Sequence, residues 1–154
     1  MKKPLLTTCW LLGILCLIAC TSTKPAPTSA AAPLLPQKEQ VWQLVAMRGK
    51  PLPPRSATIT LTFNTEAATL SGRASCNTYG ADCHLTLVEQ QPQGDLFHIT
   101  IDNVASGNTL CPEADMNAEA RYLALLPKAD ALLIDAYAIS LLQKGKEILR
   151  FELQ

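Results

Sequence analysis

Short runs of alternating apolar and polar residues, separated by turn-forming residues, extend over residues 41–154. The clearest is TITLTF, in which Ile59, Leu61 and Phe63 alternate with three threonines. Because successive side chains of a β-strand point to opposite faces of a sheet, this alternation indicates strands with one face in a core. The other clear runs are VWQLVAM, LFHITIDNV and ALLIDAYAISLLQKGKEILRFEL, the last with room for three strands and a hairpin turn at Lys144–Lys146.

Two segments need separate interpretation. ATLSGRASCNTYGADCHLTLVEQ predicts two strands with a break at residues 79–82. CPEADMNAEARYLALL predicts a helix, because Pro112 stands near its start and acidic residues occupy the first turn, where the helix dipole favours anions. Its apolar side chains at helical spacing are expected to pack in the core: Met116, Ala120, Leu123 and Leu126.

About seven short strands and one late helix predict an α+β domain. The expected architecture is a small, strongly curled antiparallel β-sheet, a partial barrel, with the helix packed against its concave face. A sandwich of two sheets with a peripheral helix is the alternative.

The first 20 residues have the pattern of a lipoprotein signal peptide. Lys2 and Lys3 precede the uncharged, apolar residues 4–19, a stretch shorter than the roughly 17 to 25 residues that span a bilayer as a helix. The last three residues of this stretch and the following cysteine, Leu17 to Cys20 (LIAC), resemble the lipobox of bacterial lipoproteins. That resemblance implies cleavage after residue 19 and acylation of Cys20, with several acyl chains giving stable membrane anchoring.

Residues 21–40 link this cysteine to the folded part. The segment TSTKPAPTSAAAPLLPQKEQ is rich in proline and alanine, a composition that favours extended conformations. When fully extended it could hold the domain at most roughly 60 Å from the lipid. We therefore expect three parts: a signal peptide (1–19), a lipidated cysteine with a Pro/Ala-rich tether (20–40) and a domain (41–154). The absence of aspartate after Cys20 resembles lipoproteins sorted to the outer membrane, with either a periplasmic or a surface orientation.

The charge of the chain argues against a nucleic-acid partner. Its 13 basic and 13 acidic residues balance, and loss of residues 1–19 removes only Lys2 and Lys3, which leaves a formal charge of −2. Binding to phosphates needs a basic surface, which this composition does not supply.

Several pieces of residues 41–154 together resemble the META domain of HslJ-like bacterial lipoproteins. They occur in the family's order: Trp42-Gln43-Leu44, Gly72, Cys76-Asn77 followed by Tyr79, Cys111 before the helix, Glu119 with Tyr122 and Leu126, and the closing LLQKGKEILRF. The family fold, a small antiparallel barrel-like sheet with a helix, agrees with the strand pattern. The resemblance implies no reaction and no catalytic residues. One departure is Ser75, since family members usually have glycine before the Cys-Asn pair.

Three cysteines follow Cys20, and export to an oxidising compartment favours a disulfide between two of them. The residues alone leave three pairings open. The resemblance implies Cys76 with Cys111, because the family pattern carries those two positions and lacks a third. Cys83 then remains as a free thiol, either buried and inert or reactive.

The residues give no sign of catalytic or metal chemistry. Cys83 and His84 are neighbours on a predicted strand, so their side chains point to opposite faces and do not converge on a zinc ion or form a nucleophilic pair. His98 lies opposite Phe97 and Ile99, on an expected exposed face. No phosphate-binding loop or nucleophile elbow is present. We expect no catalytic residue, no metal and no cofactor.

The leading hypothesis is a non-enzymatic binding or scaffolding lipoprotein of the cell envelope, anchored to the outer membrane. Resemblance to HslJ-like proteins adds an association with stress. Its expected partners are the membrane, through the lipid, and an envelope protein or peptide held at an open sheet edge or in a groove beside the helix. The alternatives are a carrier of a small hydrophobic ligand and a thiol-dependent enzyme that uses Cys83.

Overall fold

A computed structural model describes residues 32, 34–38, 40–53, 56 and 58–154. Within these residues the chain forms nine β-strands, one α-helix and a short 3-10 turn at Leu126–Lys128. In chain order the elements are β1 (Trp42–Met47), β2 (Lys50–Pro51), β3 (Thr60–Asn64), β4 (Thr69–Arg73), β5 (Thr78–Gln91), β6 (Gly94–Ser106), α1 (Glu113–Leu123), β7 (Ala131–Ile134), β8 (Ala138–Gln143) and β9 (Lys146–Leu153).

Eight of the strands form a closed antiparallel barrel. Their order is β1-β3-β4-β5-β6-β7-β8-β9, and β9 returns to β1 through pairs such as Leu44 with Phe151. β2 lies outside this ring and pairs with β1. The predicted antiparallel curled sheet with a helix is confirmed, but the barrel is closed by eight strands rather than partial with about seven. Closure pairs the two edge strands with each other, so the barrel leaves no open edge where the sheet would otherwise end.

The core follows the alternation seen in the sequence. Ile59, Leu61 and Phe63 are each at most 3% exposed, as TITLTF predicts, although β3 begins at Thr60 and Ile59 forms an isolated bridge with Ala74. Buried side chains from all eight barrel strands and from α1 meet in one cluster. Its aromatic members are Trp42, Phe63, Tyr79, Phe97, Tyr122 and Phe151. The interior of the barrel is therefore occupied by the protein's own side chains.

The predicted break at residues 79–82 is wrong. β5 runs without interruption through this segment, and the chain turns earlier, at residues 74–77. Gly80 and Asp82 have low β-propensity, but both lie between β4 and β6 and pair with each. At the predicted break, the pairing of β5 with β6 shifts in register between Gly80 and Asp82.

The expected buried face of the helix is correct for Leu123, which packs against the core, and wrong for its first two residues. Met116 is 39% exposed and Ala120 is exposed, whereas Glu119 and Tyr122 are the buried residues of α1. The helix is thus rotated relative to the expected orientation, with a carboxylate on its buried side. Leu126, just beyond α1, is fully buried as expected.

The residues before β1 contact one end of the barrel. The backbone N–H of Leu34 donates a hydrogen bond to Oδ2 of the buried Asp95, at 2.6 Å, and Pro36 is buried. The last residues of the predicted tether therefore lie against the domain. The predicted signal peptide and Cys20 lie outside the described residues. No described helix combines the length and the hydropathy that crossing a membrane requires.

Gly72→Ala tests how closely β3 and β4 approach. A Cβ at Gly72 would overlap the carbonyl group of Thr60, whereas a Cβ at Gly80 on the adjacent strand would meet its nearest atom at an ordinary 3.8 Å. We expect Gly72→Ala to lower the free energy of unfolding by about 2 kcal/mol or more, because backbone must move to relieve the overlap. Gly80→Ala is the control, with an expected change below about 1 kcal/mol. Equal effects in urea denaturation would contradict this packing.

Candidate functional site

A buried polar cluster joins α1 to the turn between β4 and β5. The Glu119 carboxylate accepts a hydrogen bond from the backbone N–H of Asn77 at 2.8 Å and another from Asn77 Nδ2 at 3.1 Å. Both residues are only 8% exposed. A buried carboxylate is costly unless donors replace its water, so these hydrogen bonds fix Glu119, and with it the helix, against the turn.

The same asparagine holds the loop that leads into the helix. Asn77 Oδ1 accepts the backbone N–H of Thr109 at 2.9 Å, and Asn77 Nδ2 lies 3.3 Å from the carbonyl oxygen of Thr109. Gly107 lies so close that a Cβ there would stand 2.9 Å from Asn77 Oδ1. One side-chain amide therefore ties three segments together: the turn, the loop and the helix.

A disulfide strengthens this connection. Cys76 and Cys111 are bonded, with their Cα atoms 6.0 Å apart, as the family resemblance implies. The bond joins the β4–β5 turn to the residue just before Pro112, where the helix begins. By crosslinking residues 35 positions apart, it also restricts the unfolded chain.

Two buried tyrosines complete the contact between helix and barrel. The hydroxyl of Tyr79 donates to the carbonyl oxygen of Thr60 at 3.0 Å, and the hydroxyl of Tyr122 lies 2.5 Å from that of Tyr79. Since the Tyr79 proton is used on Thr60, Tyr122 donates to Tyr79. The rings meet edge to face, 5.4 Å between centroids. Burial raises the pKa of both hydroxyls well above the ordinary tyrosine value, so both are neutral.

Ser75 occupies the position where glycine is expected in the family. Its φ is +80°, in the left-handed region that disfavours residues with a Cβ. Its Oγ donates to Asp115 Oδ1 of the first helical turn at 3.2 Å. The serine thus combines an unfavourable backbone conformation with an added hydrogen bond to α1.

The remaining residues singled out in the sequence lie apart from this cluster. Cys83 is free and buried in the barrel core, where desolvation raises the pKa of its thiol to about 12. His84 is exposed on the opposite face, as predicted, and His98 is exposed as well. Within the described residues no three histidine, cysteine or acidic side chains converge as metal ligands.

An open groove runs between α1 and the β1–β2 hairpin, with a volume of about 960 Å³. Its floor is apolar: Ile59 and Leu125 are buried, and Met47, Leu52 and Ala118 are partly buried. Its rim carries Arg48, Lys50 and Arg121. The buried polar cluster positions the helix, so it also sets the width of this groove.

Comparison with known proteins agrees with this architecture. A model of the META domain matches residues 35–154. The chain belongs to the META domain family. An NMR structure of a protein from Burkholderia xenovorans is similar, with 20% identity and a TM-score of 0.56 over 85% of this chain and 98% of that chain. Another NMR structure has 18% identity and a TM-score of 0.51 over 75% of this chain and 90% of that one. No curated protein matches the chain.

The structure gives physical roles to four of the residues on which the resemblance to the META family rests. Asn77, Tyr79, Glu119 and Tyr122 meet around one contact between helix and barrel. The groove has no comparable signal in the sequence, because its residues come from separate segments and include common apolar and basic types. Only the tertiary placement of the hairpin beside α1 brings them together.

The Ser75 backbone gives a direct comparison of two substitutions. Ser75→Ala keeps the left-handed strain and removes the hydrogen bond to Asp115, whereas Ser75→Gly removes both. We expect the glycine variant to be more stable than the alanine variant by about 1 kcal/mol. Thermal unfolding of the oxidised chain measures the difference. An alanine variant as stable as the glycine variant would show that the φ angle costs nothing.

The buried Cys83 thiol predicts slow labelling and a change of stability at high pH. Iodoacetamide at pH 8 should leave Cys83 unmodified in the native chain and modify it after unfolding, as measured by peptide mass spectrometry. Since the thiol ionises near its ordinary pKa of 9.0 when unfolded and near 12 when folded, its contribution to stability is constant below pH 9 and falls above it. Between pH 9 and 10.5 the free energy of unfolding of Cys83→Ala should therefore fall less than that of the wild-type chain. Rapid native labelling would contradict the burial.

Proposed function

We propose that this META protein is a non-enzymatic lipoprotein of the cell envelope that binds a protein or peptide partner in the groove beside α1. Cys20 carries the lipid anchor, which places the domain at the outer membrane. An association with stress follows from the resemblance to HslJ-like proteins. The observation that carries the proposal is the apolar, open groove, about 960 Å³ in volume, along a helix that is fixed on its other side.

The rigidity of the helix supports a binding role. A disulfide, the Glu119–Asn77 hydrogen bonds and the tyrosine pair all hold α1 against the barrel. A groove with fixed walls loses little conformational entropy when a partner binds, which favours affinity. The buried cluster therefore contributes to binding without touching the partner.

The free edge of β2 supports the alternative docking surface less well. Pro51 has no N–H, and β2 contains only two residues. A peptide that added itself to this edge would gain few main-chain hydrogen bonds. The groove is the better docking surface of the two that the sequence suggests.

The chemistry of the described side chains supports a non-enzymatic role. The polar groups of the cluster are engaged with one another: Glu119 with Asn77, Tyr122 with Tyr79, and Ser75 with Asp115. A thiol nucleophile must ionise and reach its substrate, whereas Cys83 is buried with a raised pKa. The hydrophobic-carrier hypothesis has less support too, since core side chains occupy the barrel interior.

The lipid anchor predicts a change in the size and partitioning of the chain. In a bacterial host the wild-type chain should be shortened after residue 19 and enter the detergent phase of Triton X-114. Cys20→Ala should remain unprocessed, and globomycin should have the same effect on wild type. Normal processing and partitioning of the Cys20→Ala variant would contradict acylation at this residue.

The groove predicts position-specific crosslinking in intact cells. A p-benzoylphenylalanine residue in place of Ala120, exposed at the groove, should give a discrete protein adduct upon irradiation. The same residue in place of Thr100, exposed on β6 outside the groove, is the matched control and should not. Adducts that are absent at both positions, or identical at both, would contradict partner binding in the groove.

A further inference from the structure

The chemistry of the groove identifies the class of partner, given the proposed binding function. We infer that the groove binds an acidic polypeptide segment that carries at least one apolar side chain. Three cationic side chains surround an apolar floor, and these two features call for carboxylates and a hydrophobic anchor in the same ligand.

The cations stand on opposite sides of the groove. Arg48 and Lys50 belong to the β1–β2 hairpin, and Arg121 belongs to α1. All three are exposed, and within the described part of the chain none forms a salt bridge with an acidic side chain. Arg121 Nε donates to the carbonyl oxygen of Asn117 at 3.1 Å, which directs its side chain along the helix surface.

One acidic residue, Asp115, also lines the groove and offsets part of this charge. The Asp115 carboxylate accepts a hydrogen bond from Ser75 at 3.2 Å, on the side where the helix contacts the β4–β5 turn. With three cationic side chains against this one carboxylate, the described lining keeps a local excess of positive charge in a chain whose formal net charge is zero. Such local complementarity selects partners and raises their rate of association more than it raises affinity.

The floor supplies the apolar part of the recognition. Ile59 and Leu125 form its base, and Met47 and Leu52 form its partly exposed side next to the hairpin. Burial of a leucine-sized side chain here would contribute roughly 1.5 to 3 kcal/mol relative to exposure. Met47 adapts readily to different apolar shapes, which suits recognition of a side chain rather than of one rigid ligand.

The open form of the groove favours a peptide over a small amphiphile. Most lining residues are exposed, so a bound acyl chain would keep one side in water, whereas small-ligand pockets usually enclose most of their ligand. A peptide can direct its polar backbone to that open side while an apolar side chain enters the floor. Carboxylates of the same segment can then pair with cations at the rim.

Selection from a random dodecapeptide phage library tests the inference. The target is the chain purified from the envelope and held in phosphatidylcholine nanodiscs. Two charge-reversed variants accompany it, each with three substitutions to glutamate: Arg48, Lys50 and Arg121 in the groove, and Lys128, Lys144 and Lys146 outside it. Thermal melting confirms that both variants fold.

We expect the selected peptides to be enriched in aspartate and glutamate beside leucine, isoleucine or phenylalanine. Their affinity should fall at least tenfold in the groove variant and less than threefold in the control, and it should weaken as salt is raised. Equal losses in the two variants would overturn the inference. Selected peptides without acidic residues that still require the groove would overturn the acidic partner but leave the binding function standing. No selected peptide at all would contradict both. If the same nanodisc-held chain, titrated with oleate, then binds it in the groove, the ligand is a small amphiphile and the inference is overturned.

Discussion

The buried hydrogen bonds between Glu119 and Asn77 are the interaction on which the placement of the helix depends. A carboxylate in the interior needs donors, and the turn between β4 and β5 presents two of them within 3.1 Å. An apolar contact would allow α1 to slide or rotate, whereas these directional bonds allow one orientation. The exposed positions of Met116 and Ala120 follow from that orientation.

The barrel forms the frame of the domain, and the buried polar cluster attaches the helix to it. Closure between β1 and β9 gives a frame whose interior is filled, and the disulfide with the tyrosine pair fixes the helix to that frame. The outer side of α1 then faces the β1–β2 hairpin across the groove. A polar network therefore positions one wall of an apolar groove. We propose that this groove is a docking surface and that a lipid at Cys20 keeps it near the membrane.

Local patterns were sufficient to predict much of the sheet. Alternation located the three apolar side chains of TITLTF in the core and set Cys83 and His84 on opposite faces. The turn at Lys144 and Gly145 joins β8 to β9 as expected. The patterns failed where tertiary partners decide the outcome: Gly80 in the middle of β5, the return of β9 to β1, and the buried Glu119. The disulfide was accessible only through family resemblance, since three cysteines allow three pairings. Hydropathy assigns a glutamate to the surface, so no local pattern indicated that Glu119 lies on the buried side of α1.

A double-mutant cycle on Glu119→Gln and Asn77→Ala tests the central claim most directly. Urea denaturation of the oxidised chain gives the free energy of unfolding for wild type, both single variants and the double variant. Our account predicts a coupling energy of about 1.5 kcal/mol or more, because each single variant already breaks the charge-assisted hydrogen bond between the Asn77 amide and the Glu119 carboxylate, so the double variant has no such bond left to lose. The backbone N–H of residue 77 is present in all four chains. Additive effects within about 0.5 kcal/mol would show that the two residues act independently, and that something else orients the helix.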